Sequence, residues 1–173
     1  MGKQDNLKSQ RLRKMALSDL EMVLAWRNHD HIRLMMFSTE LISLETHKTW
    51  FEKASVDPNR HLLIYEDEGE ARGFVQLACQ EDSGISEWGF YTDPAAPKGT
   101  GKRMAKAIMP YAFQHLNIHK ICGQVLGFNQ RSLRYHQQLG FKLEGILREQ
   151  HYDGQAYHDV MCFGLLRTDW IGN

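Results

Sequence analysis

The chain has 173 residues, 42% of them hydrophobic and 24% charged, which suits one globular domain. Lysine plus arginine equals aspartate plus glutamate at 21 each, so the basic excess of a nucleic-acid or anionic-membrane binder is missing and neither partner is expected. Cys79, Cys122 and Cys162 are too few and too scattered for a disulfide framework or a zinc site; they point to reduced core thiols, a cytoplasmic setting and no metal.

Residues 1–10 are polar, lack an apolar signal core and are expected to form a flexible leader. No apolar run approaches the roughly 20 residues that cross a bilayer. No repeat, low-complexity tract or Gly/Ser linker divides the remainder, so 11–170 is expected to be a single domain. A short strand is expected at 11–15. Ser18 and Glu21 have capping-box spacing and predict a helix start, with Leu20, Val23, Leu24 and Arg27 following at helical spacing. A second short helix is expected over 31–36, and Ser43 is expected to cap a third that runs to Ala54. Strands at 60–65 and 73–79 flank the turn Asp67-Glu68-Gly69-Glu70 as a hairpin, and 85–91 forms another strand. After the turn-rich 94–101 comes a helix with Met104, Ile108, Ala112 and Leu116 on one stripe, bent at Pro110. A strand at 118–126, a helix capped by Asn129 and stopped at Gly140, and a hairpin of 141–150 with 157–166 close the chain. The order predicts a mixed α/β domain with a largely antiparallel sheet.

Two segments carry chemistry. In the first, Lys98-Gly99-Thr100-Gly101-Lys102-Arg103 opens a helix directly after a strand and turn. Glycines there let backbone approach a ligand, and a helix start offers free N–H groups to a phosphate. It is neither a Walker loop nor a dinucleotide fingerprint, and an ordinary glycine-rich helix start has the same sequence. The second segment holds Asn129, Ser132 and Tyr135, three apart and neighbours on a helix surface, followed by Leu139-Gly140-Phe141. A capping asparagine and a packed tyrosine would produce this pattern as well.

Taken together, the two segments resemble the GCN5-related N-acetyltransferase (GNAT) superfamily. The loop Ala96-Pro97-Lys98-Gly99-Thr100-Gly101 matches its pyrophosphate loop except at Ala96, where the family has Gln or Arg. The resemblance spans about residues 11–167 and implies a seven-stranded, mostly antiparallel sheet with splayed central strands, flanked by helices. It implies acetyl-CoA as cosubstrate, lying between the splayed strands. Phe90, Tyr91 and Thr92 would hold the pantetheine arm. Lys98, Gly99, Thr100, Gly101 and Lys102 would take the pyrophosphate, with Asn129 and Ser132 beside the arm. Tyr135 would serve as general acid toward the sulfur, and Glu87 as base, with His47, His61, His151, His158 or a water chain as other candidates. Members of the family commonly dimerise through their C-terminal strands, so a homodimer is admitted.

The acceptor region carries a narrower resemblance. Trp26-Arg27-Asn28, the run Arg33-Leu34-Met35-Met36-Phe37, His47 and Trp50, with 87–94, resemble acetyltransferases of nucleotide-sugar pathways, the pseudaminic acid pathway above all. That implies transfer to the 4-amino group of a UDP-linked 4-amino-4,6-dideoxy-N-acetyl sugar. Arg27 and Arg33 would meet the diphosphate; Asn28, Met36, Phe37, His47 and Trp50 would shape the rest of the site. Acetylation of a ribosomal or peptide N-terminus, acetylation of a polyamine or antibiotic, and non-catalytic acetyl-CoA sensing stay open as alternatives.

Overall fold

The computed structural model describes residues 10–170. The expected leader therefore falls, apart from Gln10, outside the described residues. The seven strands are β1 (Gln10–Lys14), β2 (Arg60–Asp67), β3 (Glu70–Cys79), β4 (Ile85–Thr92), β5 (Lys120–Leu126), β6 (Lys142–Tyr152) and β7 (Tyr157–Leu166). They form one sheet in the order β1-β2-β3-β4-β5-β7-β6. All neighbours run antiparallel except β4 and β5. The helices are α1 (Leu20–Asn28), α2 (Asp30–Arg33), α3 (Leu44–Ala54), α4 (Thr100–Pro110) and α5 (Gln130–Gln138). This is the mixed, mostly antiparallel sheet flanked by helices that the sequence predicts.

The run Leu62-Leu63-Ile64-Tyr65 shows how the layers are built. Covered on both faces, β2 carries no polar alternation. Leu63 and Tyr65 join the core under α4, with Val75, Leu77, Met104 and Ile108. Leu62 and Ile64 join the core under α1 and α3, with Val23, Trp26, Phe51 and Phe74. Each such side chain contributes roughly 1.5–3 kcal/mol by leaving water.

Three local expectations are corrected. The first concerns the cap before α1, which Ser18 does not supply. Asp19, buried at 6% exposure, takes the Ala16 amide at 2.8 Å and both guanidinium nitrogens of Arg13 at 2.6 and 2.9 Å. The short helix is Asp30–Arg33, one turn that closes into Met35 and Met36 by i→i+3 bonds. Pro110 does not bend the middle of a helix. It ends α4, and a π-helical turn over Tyr111–His115 carries the chain on, absorbing the missing N–H. Ser43 caps α3 through the Thr46 amide, and Gly140 stops α5 at φ 88°.

The feature that positions the site is the short β4–β5 ladder. It holds three pairs, Ile85–Lys120, Ser86–Ile121 and Glu87–Cys122. Beyond them β4 continues to pair with β3 as far as Thr92, while β5 continues with β7 as far as Leu126. The two strands diverge, and a cleft opens between them.

Candidate active site

The cleft has a volume of about 1140 Å³. Its walls are the diverging ends of β4 and β5, the first turn of α4, the inner face of α5 and the segment from α2 to Phe37. Each wall follows from local sequence. Gly99 holds φ 86°, a left-handed conformation that a residue with a Cβ resists, and it turns the loop into α4. Thr100 is buried, and its hydroxyl donates to the Pro97 carbonyl at 2.7 Å. The Thr100 amide bonds back to Pro97 O at 3.2 Å and the Arg103 amide to Gly99 O at 3.1 Å, while the amides of Gly101 and Lys102 between them are open donors among the described residues.

On α5, Asn129 accepts the Ser132 amide at 3.1 Å, as a cap should. Tyr135 turns inward, packs 5.0 Å from the Phe90 ring, and donates its phenol to the Gly101 carbonyl at 2.7 Å. Burial pushes that phenol well above its ordinary titration range, so it stays protonated. Tyr91, on the opposite face of β4, is pushed up by burial in the same way and packs on Phe74. Arg27 leans in from α1. One of its nitrogens reaches Ser38 O at 2.9 Å, and Nη1 is buried with no partner among the described residues. Glu87 lies at the base of the cleft opposite Cys122, whose thiol is pushed up chiefly by burial, and Glu144 of β6 is held there by Lys120 at 2.7 Å.

The expected site residues separate into three groups. Glu87, Phe90, Tyr91, Thr92, Gly101, Asn129, Ser132 and Tyr135 line the cleft, as do Arg27, Met36 and Phe37. Lys98, Gly99 and Thr100 line an adjoining hollow of about 160 Å³ that shares Gly101 with the cleft. Five others face elsewhere. Lys102 is exposed on the outer side of α4. Asn28 forms a two-bond clip with the backbone of Ile42, at 2.8 and 2.9 Å. Arg33 is held by Asp30 and by Thr39 O. His47 is buried and stacks on Trp50, with burial pulling its imidazole down. Trp50 packs edge-on to Phe74. Arg103, the last residue of the 98–103 run, is tied to Asp67 at 2.8 Å.

The sequence reading missed four residues. His31 and Arg131 line both the cleft and the hollow, which places one cation and one imidazole near the loop that lacks a Gln or Arg at Ala96. Arg131 is one turn before Tyr135, a spacing that marks the shared face. Trp88 and His136 also line the cleft and meet at its base. A histidine inside an otherwise polar helix gave no separate signal. The cleft suits a CoA chain, since open helix amides at one end lead to a gap between strands whose facing edges are unpaired beyond Glu87 and Cys122.

Comparison with known proteins agrees with this geometry. The family described as the acetyltransferase (GNAT) domain matches residues 12–162. The chain is 28% identical over 127 residues to a prophage-derived uncharacterised N-acetyltransferase, YokL, of Bacillus subtilis, covering 71% of each. It is 28% identical over 128 residues to the acetyltransferase PseH of Campylobacter jejuni, covering 72% of this chain and 78% of that one. In fold it is similar to the spermidine N-acetyltransferase of Vibrio cholerae, solved with CoA and spermine, at a TM-score of 0.86 and 23% identity, covering 94% of this chain and 98% of the other. The chain belongs to the GNAT acetyltransferase family and is an acetyl-CoA-dependent N-acetyltransferase.

Proposed function

We propose that the chain acetylates the amine of a small acceptor that also carries an anionic part, most specifically the 4-amino group of a UDP-linked amino-dideoxy sugar, in the cytoplasm. The observation that carries this reading is the polarity of the acceptor half of the cleft. Arg27 has a buried nitrogen with no partner among the described residues, and Ile32, Met35, Met36, Phe37 and Tyr91 line that end with apolar surface. The Glu87 carboxylate stands at the other end, opposite Cys122 in the ladder, while Glu144 beside it is already paired with Lys120 at 2.7 Å. An acceptor with an ammonium at one end and a phosphate or nucleobase at the other complements both. A polycation such as spermidine meets an unpaired arginine where it needs a carboxylate. The likeness to PseH supports the same choice.

The donor supplies an acetyl group activated as a thioester. Amides of Gly101 and Lys102, with Lys98, His31 and Arg131 around them, would hold its pyrophosphate. The free edge of β4 from Trp88 to Thr92 would bind the arm and polarise the carbonyl. Glu87, directly or through a water, would take the proton that the amine sheds on attack, and Tyr135 would give its proton to the departing sulfur.

A thiol-release assay with acetyl-CoA tests the reading against three acceptors: the UDP-amino sugar, spermidine and ribosomal N-terminal peptides. Turnover with the sugar nucleotide alone is expected. Turnover with spermidine or peptide instead overturns the acceptor and leaves the acetyltransferase assignment standing. Tight CoA binding without turnover of any amine would favour a sensor.

A further inference from the structure

The base of the cleft is built by three residues from three elements. Trp88 follows Glu87 on β4, and Gly123 follows Cys122 on β5, so these two would form the next ladder pair. The ladder stops there. The Trp88 indole N–H instead donates to Nε2 of His136, at 3.1 Å, and His136 is 2% exposed. An indole N–H is only a donor, so Nε2 must accept and the imidazole proton must sit on Nδ1. Nδ1 is 2.8 Å from the Ser132 carbonyl, which can only accept, so both ends of the ring agree on one neutral tautomer. Phe163 stacks on the imidazole at 5.2 Å and Phe141 stacks on the indole at 5.1 Å, which fixes both planes.

Gly123 completes the arrangement. A Cβ built there would lie 2.7 Å from His136 Nε2 and 2.9 Å from Trp88 Nε1. The hydrogen-bonded pair thus occupies the space where a side chain of β5 would stand. Its neighbours in sequence, Glu87 and Tyr135, are the two residues expected to handle protons, and both line the cleft.

We infer that Trp88, Gly123 and His136 form a latch that sets how far β4 and β5 part, and so are positioning residues for donor binding and for Tyr135. The latch ties α5 to β4 at the point of divergence. Without it the opening of the cleft and the placement of Tyr135 against Phe90 are no longer fixed together. The inference rests on the assignment of the cleft to acetyl-CoA and not on any acceptor.

The test is calorimetric titration of the full chain with CoA, with no amine present, well below the melting temperature of each variant. His136→Leu keeps the bulk and removes the acceptor; its CoA dissociation constant should rise about ten-fold, the equivalent of one buried hydrogen bond. His136→Gln restores an acceptor and should return most of the affinity. Trp88→Phe keeps the ring on Phe141 and removes the donor, so it should match His136→Leu; it also serves should that variant not fold. Gly123→Ala leaves donor and acceptor intact, forces them apart, and should weaken binding as well. Variants that melt earlier yet bind CoA like the wild type would reduce the latch to a packing role and overturn the inference. So would a His136→Gln variant as weak as His136→Leu.

Discussion

Tyr135 donates its phenol to the carbonyl of Gly101 at 2.7 Å, which fastens the acid candidate on α5 to the first turn of α4. Donor loop and acid are thereby one unit. The bond also says what the phenol must do in the proposed mechanism: release a carbonyl and turn to sulfur. Tyr135→Phe should lower kcat by roughly 10²-fold or more, in the range for loss of a general acid. It should cost only about 1 kcal/mol of stability, the net worth of one hydrogen bond. Thiol release at saturating substrates, together with a thermal melt, separates the two effects. Wild-type kcat would remove Tyr135 from the chemistry.

Gly99 tests the loop itself. Its φ of 86° costs a residue with a Cβ about 1–2 kcal/mol, and the added carbon would sit 3.1 Å from Arg103 Nη1. The Arg103 side chain is anchored on Asp67 and Thr100, so it gives way poorly. Gly99→Ala should lower the melting temperature and raise the KM for acetyl-CoA several-fold while kcat changes little. An unchanged KM would show that the loop geometry is not read by the donor.

The two arginines expected at the acceptor should now behave differently. Arg27 has a buried nitrogen in the cleft with no partner among the described residues; Arg33 is occupied by Asp30 and Thr39 O. Arg27→Ala should raise the KM for the anionic acceptor at least ten-fold, as loss of a charged hydrogen bond of about 2 kcal/mol does. The KM for acetyl-CoA should hold. Arg33→Ala should act on stability first, by loosening 34–41. Equal effects of the two on acceptor KM would contradict the assignment.

The sequence carried the parts of the site that depend on short-range patterns. The glycine turn at Gly99 and the cap at Asn129 follow from spacing within one segment, and the place of Tyr135 from the family resemblance that those segments carry. Residues whose role needs a distant partner could not be found that way. Asn28 looks like a site residue until Ile42 is placed opposite it, and Arg103 looks like a free cation until Asp67 is. His136 is the reverse case, because only the return of Trp88 and Gly123 from other strands gives it a function. The helix start at α1 failed for the same reason: Ser18 and Glu21 have the local pattern, but Arg13 and Ala16 recruit Asp19 instead.

That substitution of caps can be measured. Asp19 is buried, bonded to Arg13 and to the Ala16 amide, and this holds its carboxyl below the usual carboxylate range. Asp19→Asn should cost about 1–2 kcal/mol, because it removes the charge from a buried, hydrogen-bonded carboxylate while Arg13 keeps Glu66 on its Nε at 2.5 Å. Ser18 is exposed, and Ser18→Ala should stay within about 0.5 kcal/mol. Chemical denaturation of both variants decides. A larger loss from Ser18→Ala would restore the capping box at that position.

The pH dependence of stability should show two separate windows. Burial holds the imidazoles of His47, His61 and His136 below their ordinary value. In the unfolded chain each takes up a proton near pH 6.5, and in the folded chain only at lower pH. Between those points the unfolded state binds more protons, so acid favours unfolding. The stability linked to these groups is thus fully present above about pH 6.5 and is lost as the pH falls, by at most about 1.4 kcal/mol per pH unit for each histidine. Asp19 contributes in the opposite range. Its folded carboxyl titrates lower than in the unfolded chain, so its contribution is intact above about pH 4 and fades below that. Denaturant melts from pH 8 to pH 3 should therefore begin to fall below about 6.5 and fall again below about 4. His136→Gln should flatten the first decline and leave the second. A first decline of unchanged slope in that variant would mean that His136 titrates alike in the folded and unfolded chains, and the neutral ring inferred from its bonds to Trp88 and Ser132 would have to be abandoned.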